Sequence, residues 1–133
     1  MEAMFLDSGA IYALADASDL DHGAVRGVYA DAARRFVTHE LILVEVFSLI
    51  TKRLHKAAAI NIVGALRVSP RLEIVPLTPG LLSAGWDRCR RFADKDWDWI
   101  DCVSFERMNQ RGLREALSLD RHCVQAGFTA PLA

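Results

Sequence analysis

"AMFLDSGAIYALAD", residues 3–16, changes character at Asp7. Before it stands a short, unbroken apolar run, the pattern of a strand buried on both faces. After it, "SGAIYALAD" spaces its apolar residues as a helix does. A buried strand that turns through a carboxylate into a helix is the opening of an α/β fold, and the rest of the chain repeats the alternation.

A helix is expected from about Asp19 to Arg35, with Asp21 in its first turn and Arg34 and Arg35 in its last. "RFVTH" (35–39) is a candidate short strand. The helix around Glu45 follows, then another from about Lys56 to Val68, stopped by Ser69 and Pro70. "LEIVPL" (72–77) has strand composition, and Pro76 marks the strand's end or a sheet edge. "TPGLLSAGWDRCRRFADK" (78–95) is a helix with Pro79 near its first turn. The junction "DWDW" (96–99) leads into the helix "IDCVSFERMNQR" (100–111), which Gly112 ends. "EALSL" (115–119) is a further buried strand closed by Asp120, and "RHCVQAG" a helical turn. Such alternation predicts an α/β sandwich around a central, mainly parallel sheet. With no internal repeat and no linker composition, residues 1–133 are expected to form one domain.

A chain of 133 residues, 52% hydrophobic and 25% charged, has the composition of a globular protein rather than a disordered one. Cys89, Cys102 and Cys123 form no CxxC pair and no zinc spacing, so free thiols in a reducing cytoplasm are expected. "MEAMFLD" lacks the features of a signal peptide, and no apolar run reaches the ~20 residues of a membrane helix. Net charge is −1 and singles out no partner. Basic residues gather in "KRLHK" (52–56) and "RCRRFADK" (88–95), and at Arg111, Arg114 and Arg121, as a polyanion-binding surface would have them.

Four acids raise a question of cost. In "LILVEVFSLI" (41–50), Glu45 is the one charge in an almost continuous apolar run, and a buried carboxylate without a partner costs several kcal/mol. Asp7 and Asp120 close apolar strands, and ligands of open parallel sheets bind outside the carboxyl ends of strands. Either aspartate also serves as an ordinary turn or cap residue. Asp98 and Asp101 fit a capping arrangement at a helix start, a place from which a carboxylate can also project into a cleft. Brought to one edge, these carboxylates repel unless a cation sits among them. Oxygen donors without His or Cys favour Mg²⁺ or Mn²⁺ over zinc. The chemistry this suggests is metal-dependent phosphoryl transfer.

"MFLDSGAIYALAD", "LILVEVFSLITKR", "DKDWDWIDCVSFERMNQRG" and "EALSLDRHCVQAGF" resemble the four acidic motifs of PIN-domain ribonucleases, most closely the VapC-type toxins of toxin–antitoxin pairs. The likeness runs from residue 4 to residue 128. It implies a PIN-like three-layer α/β/α sandwich and Mg²⁺- or Mn²⁺-dependent endonucleolytic cleavage of single-stranded or loop RNA, leaving a 5′-phosphate and a 3′-hydroxyl. By the same resemblance Asp7, Glu45 and Asp101 match the core metal-binding acids, and Asp120 the fourth. Ser8, Asp98 and Ser104 become candidates for supporting the metal's ligands or waters. Lys52, Arg53, Arg121 and His122, with His22, become candidates for touching RNA. A homodimer and a small VapB-like antitoxin are the implied partners. The family commonly has Ser and Thr where this chain has Asp98 and Ile100.

Other folds that open on a strand and an aspartate fit less well. A haloacid-dehalogenase-like phosphatase needs a second Asp where Gly9 stands, and "DSGAIYA" lacks the GxGxxG of a nicotinamide site. A receiver domain places its acceptor Asp at a mid-chain strand end, where this chain has Glu45 in a helix. The remaining alternative is a weakened PIN domain that acts as an RNA- or protein-binding module, for which Ile100 would be the mark. The presence of all four acids favours the nuclease.

Overall fold

A computed structural model of the protein describes residues 2–133. In chain order the elements are β1 (Met4–Leu6), α1 (Ser8–Ala15), α2 (His22–Tyr29), β2 (Phe36–His39), α3 (Glu40–Arg53) and α4 (Lys56–Arg67). They are followed by β3 (Leu72–Val75), α5 (Pro79–Arg91), α6 (Trp99–Arg111), β4 (Ala116–Leu117) and α7 (His122–Gln125). The strands form a single all-parallel sheet in the order β3-β2-β1-β4. β1, β2 and β4 are buried throughout, which is why β1 and β4 read as continuous hydrophobicity, while β2 also buries Thr38 and His39, each hydrogen-bonded. β3 lies at one edge and stops at Val75, so Pro76 marks both an edge strand and its end. At the other edge the last residues of the chain cover β4, through a parallel bridge between Glu115 and Thr129.

The order places β2 on one side of β1 and β4 on the other, so the strand order reverses beside β1. That reversal opens a crevice at the carboxyl ends of β1 and β4, where Asp7 and Asp120 follow their strands. Asp7 N–H donates to Leu117 O at 3.1 Å, extending the ladder one residue past β1.

Helix boundaries follow local chemistry. Thr78 Oγ1 accepts from Leu81 N–H, and Pro79 occupies the first turn of α5. Gly112 ends α6 in the left-handed region, at φ 64°. α2 is shorter than its sequence suggests: it begins at His22 and ends at Tyr29, not Arg35. Arg71, from the start of β3, donates to the carbonyls of Tyr29 and Asp31, both at 2.7 Å. The Asp31 carboxylate then turns the chain by accepting from Ala33 N–H. Arg34 leaves the helix to pair with Glu115 at 3.0 Å. Likewise β4 is two residues long rather than five, because Ser118 turns toward Asp7 instead of continuing the ladder.

α5 and α6 touch closely at Gly85, where an added Cβ would lie 2.5 Å from Val103 Cγ2 and 3.0 Å from Val103 N. Gly85→Ala is expected to lower the melting temperature of the protein. The ~1 kcal/mol that Ala gains over Gly in a helix is outweighed by overpacking of about 1–3 kcal/mol. Thermal denaturation checks this, and a higher melting temperature would mean that the helices can part without loss.

Candidate active site

A cleft of about 670 Å³ opens over the carboxyl ends of β1 and β4. Six carboxylates line it, those of Asp7, Glu45, Asp96, Asp98, Asp101 and Asp120, with Arg121 and His122 as the basic residues present. The four sequence-predicted acids therefore share one cleft, delivered by the end of β1, the middle of α3, the first turn of α6 and the loop after β4.

Each acid is held by its surroundings. Asp7 accepts from Ser8 N–H at 2.9 Å and from the Ser118 hydroxyl at 2.8 Å. Asp98 and Asp101 form a reciprocal capping box: Asp101 N–H donates to Asp98 Oδ1 at 2.8 Å, and Asp98 N–H to Asp101 Oδ2 at 3.1 Å. Asp7 and the Asp98–Asp101 pair thus stand at the starts of α1 and α6, where the helix dipole offsets about 0.3–1 kcal/mol of the repulsion per acid. His122 Nδ1 lies between two acids, 3.1 Å from Asp101 Oδ2 and 3.2 Å from Asp120 Oδ2. Glu45 is half-buried at the rim of α3, its charge directed to the cleft rather than into the core.

The electrostatics are those of an anionic site short of positive charge. Burial, and then the charges of Asp120 and Asp98, raise the Asp7 pKa above the ordinary carboxylate range. Burial raises that of Glu45, reinforced by Asp98 and Asp7. Asp101 is pushed up to about 7 by burial and by the neighbouring Asp98 charge, with His122 pulling the other way. A divalent cation would reverse each of these shifts, and hard carboxylate oxygens are the donors that Mg²⁺ and Mn²⁺ take. Among the described residues no three side chains are already gathered into a coordination shell, so the fit is one of donor chemistry and charge.

The other candidates divide. Ser8, Asp98, Arg121 and His122 line the cleft. Ser104 does not: it is buried, and its hydroxyl donates to Ile100 O at 3.0 Å. That donation leaves the Ser104 oxygen to accept from His39 Nε2–H at 2.8 Å, tying the end of β2 to α6. Burial and the Arg107 charge hold the His39 pKa down at about 4, so its imidazole is neutral. Lys52 and Arg53 lie outside the cleft lining at the end of α3, with the Arg53 guanidinium over the Tyr12 ring. His22 is also elsewhere, its Nδ1 2.7 Å from Ala13 O. Of the basic run at 88–95, Arg88 is buried against Glu106 at 3.1 Å, a core ion pair rather than a polyanion contact. Ile100 packs on the hydrophobic core and does not line the cleft. Ser118 and Asp96 were not anticipated. A hydroxyl in the otherwise apolar "ALSL" (116–119) was the available signal for Ser118.

Residues 4–128 match the PIN domain family, and the chain belongs to it. Among its relatives is the 23S rRNA-specific endonuclease VapC20 of Mycobacterium tuberculosis, found in two strains. It is 26% identical over 125 residues, which span 94% of this chain and 95% of the relative. The crystal structure of VapC20, described as a sarcin–ricin loop cleaving toxin, superposes with a TM-score of 0.89 at 25% identity, covering 96% of this chain and 97% of that one.

Proposed function

We propose that this protein is an endoribonuclease toxin of the VapC type, dependent on Mg²⁺ or Mn²⁺, that cuts single-stranded or loop RNA. The observation that carries the reading is the acidic cleft at the strand-order reversal, lined by six carboxylates, among which Asp7, Glu45 and Asp101 have their proton affinities raised where a cation would lower them. Asp7, Glu45 and Asp101 would hold the cation and Asp120 would complete or flank its ligand set. Such an ion supplies Lewis-acid activation of water and neutralises charge on the leaving oxygen. The chain's own groups do the positioning. Ser8 N–H and the Ser118 hydroxyl fix the Asp7 carboxylate, and Asp98 N–H fixes that of Asp101. Arg121, at the cleft rim, is placed to receive a substrate phosphate.

The reduced state of Cys89, Cys102 and Cys123 fits action in the cytoplasm. No described helix is long and apolar enough to cross a membrane. A VapB-like antitoxin and a second copy of the chain are the partners this reading implies, and exposed Val44 and Ile60 on α3 and α4 offer apolar surface for them.

The test is incubation of purified protein with ribosomes and with an isolated sarcin–ricin loop oligonucleotide, in Mn²⁺, Mg²⁺ or EDTA. Cutting that needs the cation supports the proposal. An intact RNA pool under all conditions, from folded protein free of antitoxin, would overturn it in favour of a binding module.

A further inference from the structure

Two of the three tryptophans stand outside the core. Trp86 on α5 is 49% exposed and Trp99, the first residue of α6, is 41% exposed. Their ring centroids are 5.1 Å apart, with planes tilted by 58°. Core packing does not account for them, since buried Trp97 supplies the aromatic contact with Phe92 and Phe105. Nor is the pair loose. Trp99 Nε1–H donates to Leu82 O at 3.0 Å, and Gly85 lets the helix carrying Trp86 press against Val103 of α6.

The location matters more than the exposure. Trp99 follows Asp98 and precedes Asp101, both of which line the acidic cleft, so the indole is rooted in the same helical turn as two cleft carboxylates. One turn beyond Trp86 on the same face of α5 is Arg90, exposed and in no ion pair among the described residues. We propose that Trp86 and Trp99 form a stacking platform for an unpaired base of the RNA strand entering the cleft, with Arg90 receiving an adjacent phosphate. The inference rests on the ribonuclease reading above and adds to it a base-binding site.

A strand-tracking surface combines exposed aromatic faces with cations, and stacking tolerates any base because every base has a π face. A protein-binding hot spot is instead surrounded by packed contacts that exclude water. Here Trp86 is flanked on α5 by exposed Ser83 and Arg90 and by half-buried Leu82 and Cys89, and half of its surface stays open to solvent. The surroundings favour a nucleic acid strand.

The experiment is a fluorescence titration with a short oligoadenylate in Mg²⁺, using Asp7→Asn protein so that binding is read without cleavage. An abasic strand of equal length carries the same charge without bases. Oligoadenylate is expected to quench tryptophan emission and to bind roughly tenfold or more weakly to Trp86→Leu, with Trp86→Phe restoring part of the loss. The abasic strand is expected to bind weakly and to ignore the substitution at Trp86. Arg90→Gln, an exposed change that leaves the core alone, should reduce the salt dependence of binding by about one ion. Equal binding of oligoadenylate by Trp86→Leu, or equal binding of the abasic strand, overturns the platform. So does a change in oligomeric mass on Trp86→Leu with RNA binding intact, which would make this face a contact between copies. The two readings fail separately: Trp86-dependent binding without cleavage of any RNA would remove the nuclease and keep the platform. Cation-dependent cleavage with an unchanged KM in Trp86→Leu would do the reverse.

Discussion

Asp7→Asn is expected to lower RNA cleavage by roughly 10²–10³-fold while leaving the melting temperature of the metal-free protein equal or higher. The size of the loss is that of removing one preorganised charged group from the reacting centre. The stability side follows from the sign of the pKa shift. Asp7 titrates above the ordinary carboxylate range in the folded protein because burial and the nearby acids disfavour its charge. Transfer of the carboxylate from the unfolded chain to this site therefore opposes folding, and its removal relieves that opposition. Asparagine keeps the local bonds: its oxygen can accept from Ser8 N–H, and its amide can donate to Ser118 Oγ, whose proton can turn toward Asp120 O at 3.5 Å. A core truncation would instead cost about 2–5 kcal/mol. Cleavage assays beside thermal melts decide between them. A variant that cuts at the parental rate removes Asp7 from the site, and one that melts far below the parent makes it a structural cap.

The second large effect is a cation-dependent stabilisation that grows with pH. Asp101 moves from an ordinary value of 3.8 to about 7 on folding, and Asp7 and Glu45 shift the same way. The native metal-free protein therefore binds more protons than the unfolded chain: Asp101 removes stability as pH rises from about 4 to about 7, and Asp7 and Glu45 act in the same direction. His39 acts oppositely. Its pKa falls from 6.5 to about 4, so it adds stability over the lower part of the same range. Total stability against pH is thus a poor reporter, whereas the difference between Mn²⁺ and EDTA melts cancels His39. That increment should be smaller at about pH 5, where a proton occupies Asp101 and competes with the cation. At about pH 8 a hundredfold excess over Kd should contribute about 2.7 kcal/mol, a rise on the order of 10 °C. An increment of equal size at both pH values would mean that the ion binds elsewhere.

Much of this was legible in the chain because its signals were local. The switch at Asp7 from a continuous apolar run to helical spacing placed β1 and α1, and Thr78–Pro79 and Gly112 marked helix ends through their own backbone chemistry. What escaped was set by distant partners. Nothing near Tyr29 announces that Arg71 will take the carbonyls at the end of α2. The same holds for Arg88, whose partner Glu106 lies on the next helix, so that a basic run reads as surface although one member is core. Among the site residues, the acids stood out because a lone charge in an apolar run has a cost that demands an explanation. Ser104 has no such cost, and its hydroxyl was free to serve His39 and the Ile100 carbonyl rather than the cleft.

The Ser118–Asp7 hydrogen bond joins residues 111 positions apart, and β1 gains its second neighbour only when β4 arrives. β1 thus waits for a segment made much later in synthesis before its carboxylate is oriented. A nascent chain halted anywhere before Ser118 has the N-terminal helices but not the constellation. The acidic cleft is therefore completed late relative to β1 and α1, and whatever chemistry it carries is withheld from the partly made chain.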